Sequence, residues 1–417
     1  MNYIDINETI YAITEKYPET VDIFVSRGFP QMAEYSQRAG YGKLVSLKTA
    51  LEMRKINSEL FTGLLNEAIA ELRDGADLTL SGAQHNSQDD SVTMTGLLPC
   101  PVRIPILEEF NTFSSSYRKQ HNRTINAELK AASVGTQWVE EHIDSSTSVE
   151  SLPDIFISAG FDLFFDRQRI GRLREQNAFT DLLDWKGENP AFAGMDLKDP
   201  AGVYSIIAAV PAVFLVNTRE LAGRPVPRSW KELLCGDFAQ SVSLPVGDFD
   251  LFNAILLTIR SRYGDAGVKE LGRVMLQALH PSQMVKSDRM KNARPAVTIM
   301  PYFFTKTVRE GGPMQAVWPE DGAIVSPIFM LSKRGKEEEL KPVVDFFGSK
   351  KIGEVLAHQG LFPSLNPRVD NRLAEGTPFM WLGWDYIKSH DLSREISASE
   401  EIFKHTSSLV AMTEESA

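Results

Sequence analysis

The stretch Val203–Thr218 reads VYSIIAAVPAVFLVNT and carries no charged residue. Its apolar part, Ile206–Val216, spans 11 residues, well short of the ~20 that a membrane-crossing helix needs. Pro211 near its middle would also break a helix in water. A run this rich in Val and Ile, with no polar alternation, reads as strand buried on both faces. The interruption at Pro211 predicts a pair of strands rather than one.

Other segments repeat the pattern at wider spacing. PDIFISAG, SVSLP, PAVTIMPYFF and DGAIVSPIFMLS are short apolar runs, and amphipathic stretches separate them. GLLPCPVRI predicts a strand and turn, with a helix following from about Pro105 to Gln120. Such alternation implies an α/β sheet covered by helices on both faces. No repeat of 20–50 residues is present, so a solenoid is excluded.

The first part of the chain differs. Residues 1–74 predict a small all-α domain, with Asn7 capping a helix that buries Ile10, Ile13 and Tyr17, and Ser46 capping another. Residues 75–94 are rich in Ser, Gly, Asp and Gln and read as a linker, with a solvated His85. At 417 residues the chain has room for about two to three domains.

A net charge of −11 argues against nucleic acid or an anionic membrane as main partner. Two cysteines, Cys100 and Cys235, are too few for a disulfide framework or a thiolate metal site, and they suit a reducing compartment. The opening MNYIDINETI has neither a basic leader nor an apolar core, from which a cytoplasmic location is expected, or a periplasmic one if a leader was removed.

In open α/β sheets, ligands collect beyond the carboxyl ends of strands. That rule selects Cys100 and Arg103, then Ser158, Ala159 and Gly160, then Pro211, then Gly247 with Asp248, and finally Tyr302 with Phe303. Arg103 is suited to a carboxylate, phosphate or phosphonate, although a solvated loop arginine is the plainer reading. Asp248 and Asp250 read equally as helix caps. Lys286, Arg289 and Arg294 form a basic cluster that would draw anions or simply line a solvated helix. The seven histidines are scattered without zinc spacing, so no metal, cofactor or catalytic residue is expected.

The wording of several segments resembles class II periplasmic-type solute-binding proteins. LVNTRELAGRPVPRSWKELL carries a P-x-S-W-x-x-L phrase at Pro227, Ser229, Trp230 and Leu233; VWPEDGAIVSPIFMLSKRG and FFGSKKIGEVLAHQGLFPSLNP follow in order. The resemblance implies a two-lobed fold, with one lobe from 95–205 and 316–372, the other from 206–315, and a carboxyl-terminal extension over 373–417. It also implies a non-enzymatic receptor that closes around a small, anionic or metal-containing solute, nearest to the ferric-iron, phosphonate and polyamine receptors of ABC transporters. The iron subgroup uses adjacent tyrosines where this chain has Tyr302 followed by Phe303 and Phe304, and phenylalanine cannot ligate a metal.

The amino-terminal segments INETIYAITEKYPETVDIFVSRGF and LVSLKTALEMRKINSELFTGLLNEAI resemble a helical domain found beside hybrid-cluster redox proteins. The Cys-x-x-Cys of that domain is missing from RGFPQMAEY, so docking to a protein partner is the expected role. Two alternatives stay open. One is a thiaminase-like enzyme with Cys100 as nucleophile; the other is an interaction module with a vestigial cleft.

Overall fold

The computed structural model describes residues 4–17, 20–26, 29–54, 56, 58–69, 91–131, 139–140, 143–144, 148–161, 164–166, 170, 177–246, 249–278, 294–308 and 311–407. It divides into two compact units, Met1–Ser87 with Ala127–Val134, and Gln88–Asn126 with Gly135–Ala417. Gly247, Asp248, His85, Lys286, Arg289 and most of the expected linker lie outside the described residues.

The first unit holds helices α1 (Ile10–Lys16), α2 (Val21–Ser26), α3 (Tyr35–Ala39), α4 (Tyr41–Leu44), α5 (Leu47–Met53) and α6 (Ser58–Ile69). Thr9, not Asn7, caps α1: its side chain accepts from the Ala12 amide, leaving Asn7 outside the helix, bonded to Asp5. Ser46 caps α5 as expected. The rings of Phe24, Phe29 and Phe61 meet at centroid distances of 5.3–5.9 Å, and Ile10, Ile13, Leu47 and Leu65 close the core around them.

The second unit is the sheet. Its strands are β1 (Ser91–Leu98), β2 (Thr124–Ala131, whose residues from Ala127 group with the first unit), β3 (Ile155–Ala159), β4 (Phe179–Thr180), β5 (Tyr204–Asn217), β6 (Val242–Leu244), β7 (Met275–Ala278), β8 (Val297–Pro301), β9 (Met314–Val317), β10 (Ala323–Lys333) and β11 (Phe379–Met380). From β1 the hydrogen-bonded order is β1-β3-β10-β5-β8-β6-β7. Helix α7 (Cys100–His121) follows β1, and α8 (Trp230–Leu233) and α9 (Phe249–Val274) flank β6. Helices α10 (Glu337–Phe347), α11 (Lys350–Glu354), α12 (Trp384–Ser389) and α13 (Leu392–Thr406) complete the unit.

The apolar run is one strand of 14 residues, buried throughout, and not a pair. It pairs with β10 from Tyr204 to Ala212 and with β8 from Ala212 to Val216, so it passes from one half of the sheet into the other. Pro211 is tolerated because β8 joins only at Ala212. Pro327 of β10 is placed in the same way, one residue before β3 joins at Ile328. Each proline sits where no second-edge ladder bond is asked of it.

Two of the motif segments fold onto each other. Ser229 caps α8, the Trp230 amide donates to Asp321 Oδ1 at 3.0 Å, and the Trp230 indole donates to the Gly322 carbonyl at 3.0 Å. Helix α7 starts at Cys100, five residues before the expected Pro105. Prolines are compatible with the first turns of a helix, and Pro99 takes the cap position.

Candidate functional site

The two long strands set the geometry. β3 ends at Ala159, opposite Ile328 and hence in the row of Ala208; β8 ends at Pro301, opposite Ala212. Four residues of β5 separate these rows, roughly 13 Å at a strand's rise. Residues that follow β3 and β8 therefore leave the sheet on either side of the handover point, where Pro211 lies.

Gly160 leaves β3 with φ +86, and its amide donates to the Pro327 carbonyl at 3.1 Å. A methyl group on it would lie 2.9 Å from Asp250 Oδ1 and 3.0 Å from Asp250 Cα. Only glycine fits, on both backbone and packing grounds. This brings the end of β3 against the first turn of α9. The Ser326 hydroxyl donates to the Asp250 carbonyl at 3.2 Å, which ties the same turn to β10. Ser158 is fully buried and its hydroxyl donates to the Ala159 carbonyl at 3.3 Å, so it sits behind the site rather than opening into it.

Tyr302 and Phe303 begin a 3₁₀ turn, Tyr302–Thr307. Tyr302 meets Trp318 edge to face at 5.1 Å, and the Trp318 indole donates to the Pro378 carbonyl. Phe303 approaches Phe362 at 6.4 Å. Lys306 of the same turn donates to the His358 and Gln359 carbonyls at 2.8 and 2.9 Å, at the end of a π-turn, Val355–Gln359. Burial lowers its ammonium pKa. The next residue, Gly360, has no room for a side chain: a methyl would lie 2.6 Å from Val102 Cγ1 and 2.5 Å from the Phe362 ring. Helix α7, the 360–362 segment and the turn after β8 thus lie in series, with Val102 against Gly360 and Phe303 against Phe362.

Arg103 stands in the first turn of α7, on the stripe it shares with Leu107 and Phe110, both buried. Only 3 % of it is exposed, and among the described residues no hydrogen bond or ion pair engages its guanidinium. None of its nitrogens is among the fully buried side-chain atoms without a partner, so the little exposure that remains lies at the guanidinium, which meets water rather than protein acceptors. The Cys100 side chain lies outside the described residues. Among those described, no group of three or more His, Cys, Asp and Glu is placed to hold a metal ion, and no helix is long and apolar enough to cross a membrane.

The sequence reading did not assign Ser326, Lys306, Gly360 or Trp318. Ser326 and Gly360 carried a usable signal, a lone small polar residue inside an apolar strand and a glycine followed by Leu-Phe-Pro. Lys306 carried none, since its role depends on a π-turn about fifty residues away.

A family model described as bacterial extracellular solute-binding protein matches residues 150–390. A second, a domain of unknown function (DUF1858), matches residues 4–61. No curated protein sequence matches the chain. Solved structures do. Apo ferric ion-binding protein A of Pasteurella haemolytica has a TM-score of 0.53 at 10% identity, covering 76% of this chain and 98% of its own. An ABC transporter structure from Clostridium perfringens has 0.52 at 15%, covering 75% and 99%. The periplasmic binding protein AfuA from Actinobacillus pleuropneumoniae, with fructose-6-phosphate bound, has 0.50 at 15%, covering 76% and 99%. At these identities the likeness shows the fold.

Proposed function

Because the chain belongs to the bacterial extracellular solute-binding proteins, with residues 150–390 matching that family, we propose that its two sheet halves close around a small anionic solute at the β5–β10 handover. Residues 95–205 with 316–372 form one lobe and 206–315 the other. The carrying observation is Arg103, whose stem is buried (3 % of the residue is exposed) while its guanidinium has no described partner and is not fully buried, so it is open to a solute. A carboxylate, phosphate or phosphonate oxygen pair would satisfy its fork, and the α7 N-terminus favours the same charge.

Gly160, Asp250, Ser326 and Pro211 form the hinge side of the site. Tyr302, Phe303 and the unassigned neighbour Trp318 form the aromatic wall. Cys100 lies in the same first turn as Arg103, and Gly247 with Asp248 leads into α9. The solute is held and released without chemical change. The exposed free thiol of Cys235 supports a reducing, cytoplasmic setting, which fractionation of cells expressing the full chain tests. The helical unit would recruit a protein partner.

Isothermal titration with orthophosphate, methylphosphonate, a sugar phosphate and a dicarboxylate tests the reading. Saturable binding of one class, lost in Arg103→Gln, is expected; no heat from any of them contradicts it.

A further inference from the structure

A second concavity lies along β5 on the β10 side of the handover. Its cavity volume is about 410 Å³, and its walls include Trp185, Phe192, Tyr204 and Ile206. Ile206 precedes the Ala208 row, where β3 ends, by two residues (roughly 7 Å) and Ala212 by six (roughly 20 Å), so this pocket opens beside the β10 half of the sheet rather than between the strand ends. That volume is in the range of small-molecule sites.

Its walls are fixed. Asn189 donates to the carbonyls of Asn366 and Val369 at 2.7 and 2.8 Å and accepts from Asn371 and from the Ala191 amide. Trp381 and Trp384 donate to the Asp196 and Leu197 carbonyls, both at 3.2 Å. The rim is therefore formed before any ligand arrives, which lowers the ordering cost of binding.

The charges are unequal. Asp181, Glu188 and Asp196 line the pocket against Lys198 alone. Asp181 Oδ1 accepts from the Leu183 amide at 2.9 Å and from the Ser205 hydroxyl; no described residue bonds to Oδ2. An acceptor with spare capacity, surplus negative charge and aromatic walls together select a cation with an apolar body.

We infer that this pocket is a second binding site, separate from the cleft, for a small organic ammonium compound carrying an aromatic or aliphatic body. The ammonium bonds to Asp181 Oδ2, and the body lies against Trp185, Tyr204 and Ile206. Neither contact depends on the anion site.

Titration calorimetry of the full chain with phenethylamine, and with the neutral 2-phenylethanol as control, tests the inference. Saturable phenethylamine binding is expected, at least about tenfold tighter than the alcohol and weakened about tenfold by Asp181→Asn, the scale of one charge-assisted hydrogen bond. Lys198 is exposed, so Lys198→Gln tests the same charge balance should Asp181→Asn not fold; it should tighten amine binding severalfold. Arg103→Met should leave amine binding unchanged. Equal affinity for amine and alcohol, undiminished binding in Asp181→Asn, a loss of binding in Arg103→Met, or no saturable binding to protein with an intact melt would each overturn it.

Discussion

Two buried cations lie at opposite ends of the same half of the sheet, and they are treated differently. Lys333 ends β10 beside the start of β3. It is 6 % exposed and donates to the carbonyls of Glu150 and Leu152 at 2.9 and 3.0 Å, with Asp154 at 3.6 Å. Asp154 in turn accepts from the Thr93 amide and hydroxyl and pairs with Lys336 at 2.9 Å. Arg103, beyond the other end of β1, is as deeply buried and has no such set. A buried charge with a full protein shell holds structure together, while one whose head meets water instead of protein acceptors is free to take a ligand. On the proposed reading, the contrast separates the scaffold end of the lobe from the binding end.

Substitution should split the two. Lys333→Met leaves Asp154 with Lys336 and Thr93 and takes the ammonium from two carbonyls, so a loss of about 3 kcal/mol is expected from denaturant unfolding. A cost below about 1 kcal/mol would erase the contrast. Arg103→Met should change the solute-free protein by no more than about 0.5 kcal/mol, because a guanidinium that meets water gives up no protein bond. Lys306→Met removes two hydrogen bonds from a partly exposed clasp. A loss of about 1 kcal/mol is expected, with faster hydrogen exchange confined to the 355–360 turn. Unchanged exchange there would show that the clasp does not hold the lobes.

The smallest effect concerns pH. Burial raises the Asp181 carboxyl above its ordinary value, against the Ser205 hydroxyl, the Leu183 amide and Lys198, with Asp199 adding to the rise. The native state therefore keeps this proton at pH values where the unfolded chain has lost it. Stability should fall slightly as pH rises from the ordinary carboxyl value to the raised one, and stay lower above it. Asp181→Asn, whose amide oxygen still accepts both Oδ1 bonds, should flatten that slope in melts followed across the acid range. An unaltered slope would locate the proton elsewhere.

Much of the fold was legible because it rests on local pattern. The alternation of short strands and helices and the Ser46 cap depend on residues close in sequence. The long strand β5 was visible as an apolar run, yet Pro211 read as a break. Its tolerance depends on where β8 joins, a long-range fact absent from local pattern. The start of α7 was misjudged for a related reason, since Pro101 and Pro105 look like helix breakers unless the helix begins before them. Arg103 could be named from its place after a strand, but its burial comes from packing against α7's neighbours. The Gly160–Asp250 approach joins residues 90 positions apart and had no signature beyond the glycine itself.

The central claim is that the guanidinium of Arg103, with no described protein partner, is kept for a solute. Thermal melting of wild type and Arg103→Met in parallel, bare and with the same panel of phosphate, phosphonate and carboxylate solutes, tests it most directly. The account predicts that the bare variant melts close to the bare wild type and that only the wild type rises with a solute. A bare variant that melts far lower, or a variant that gains as much from the same solute, would contradict it.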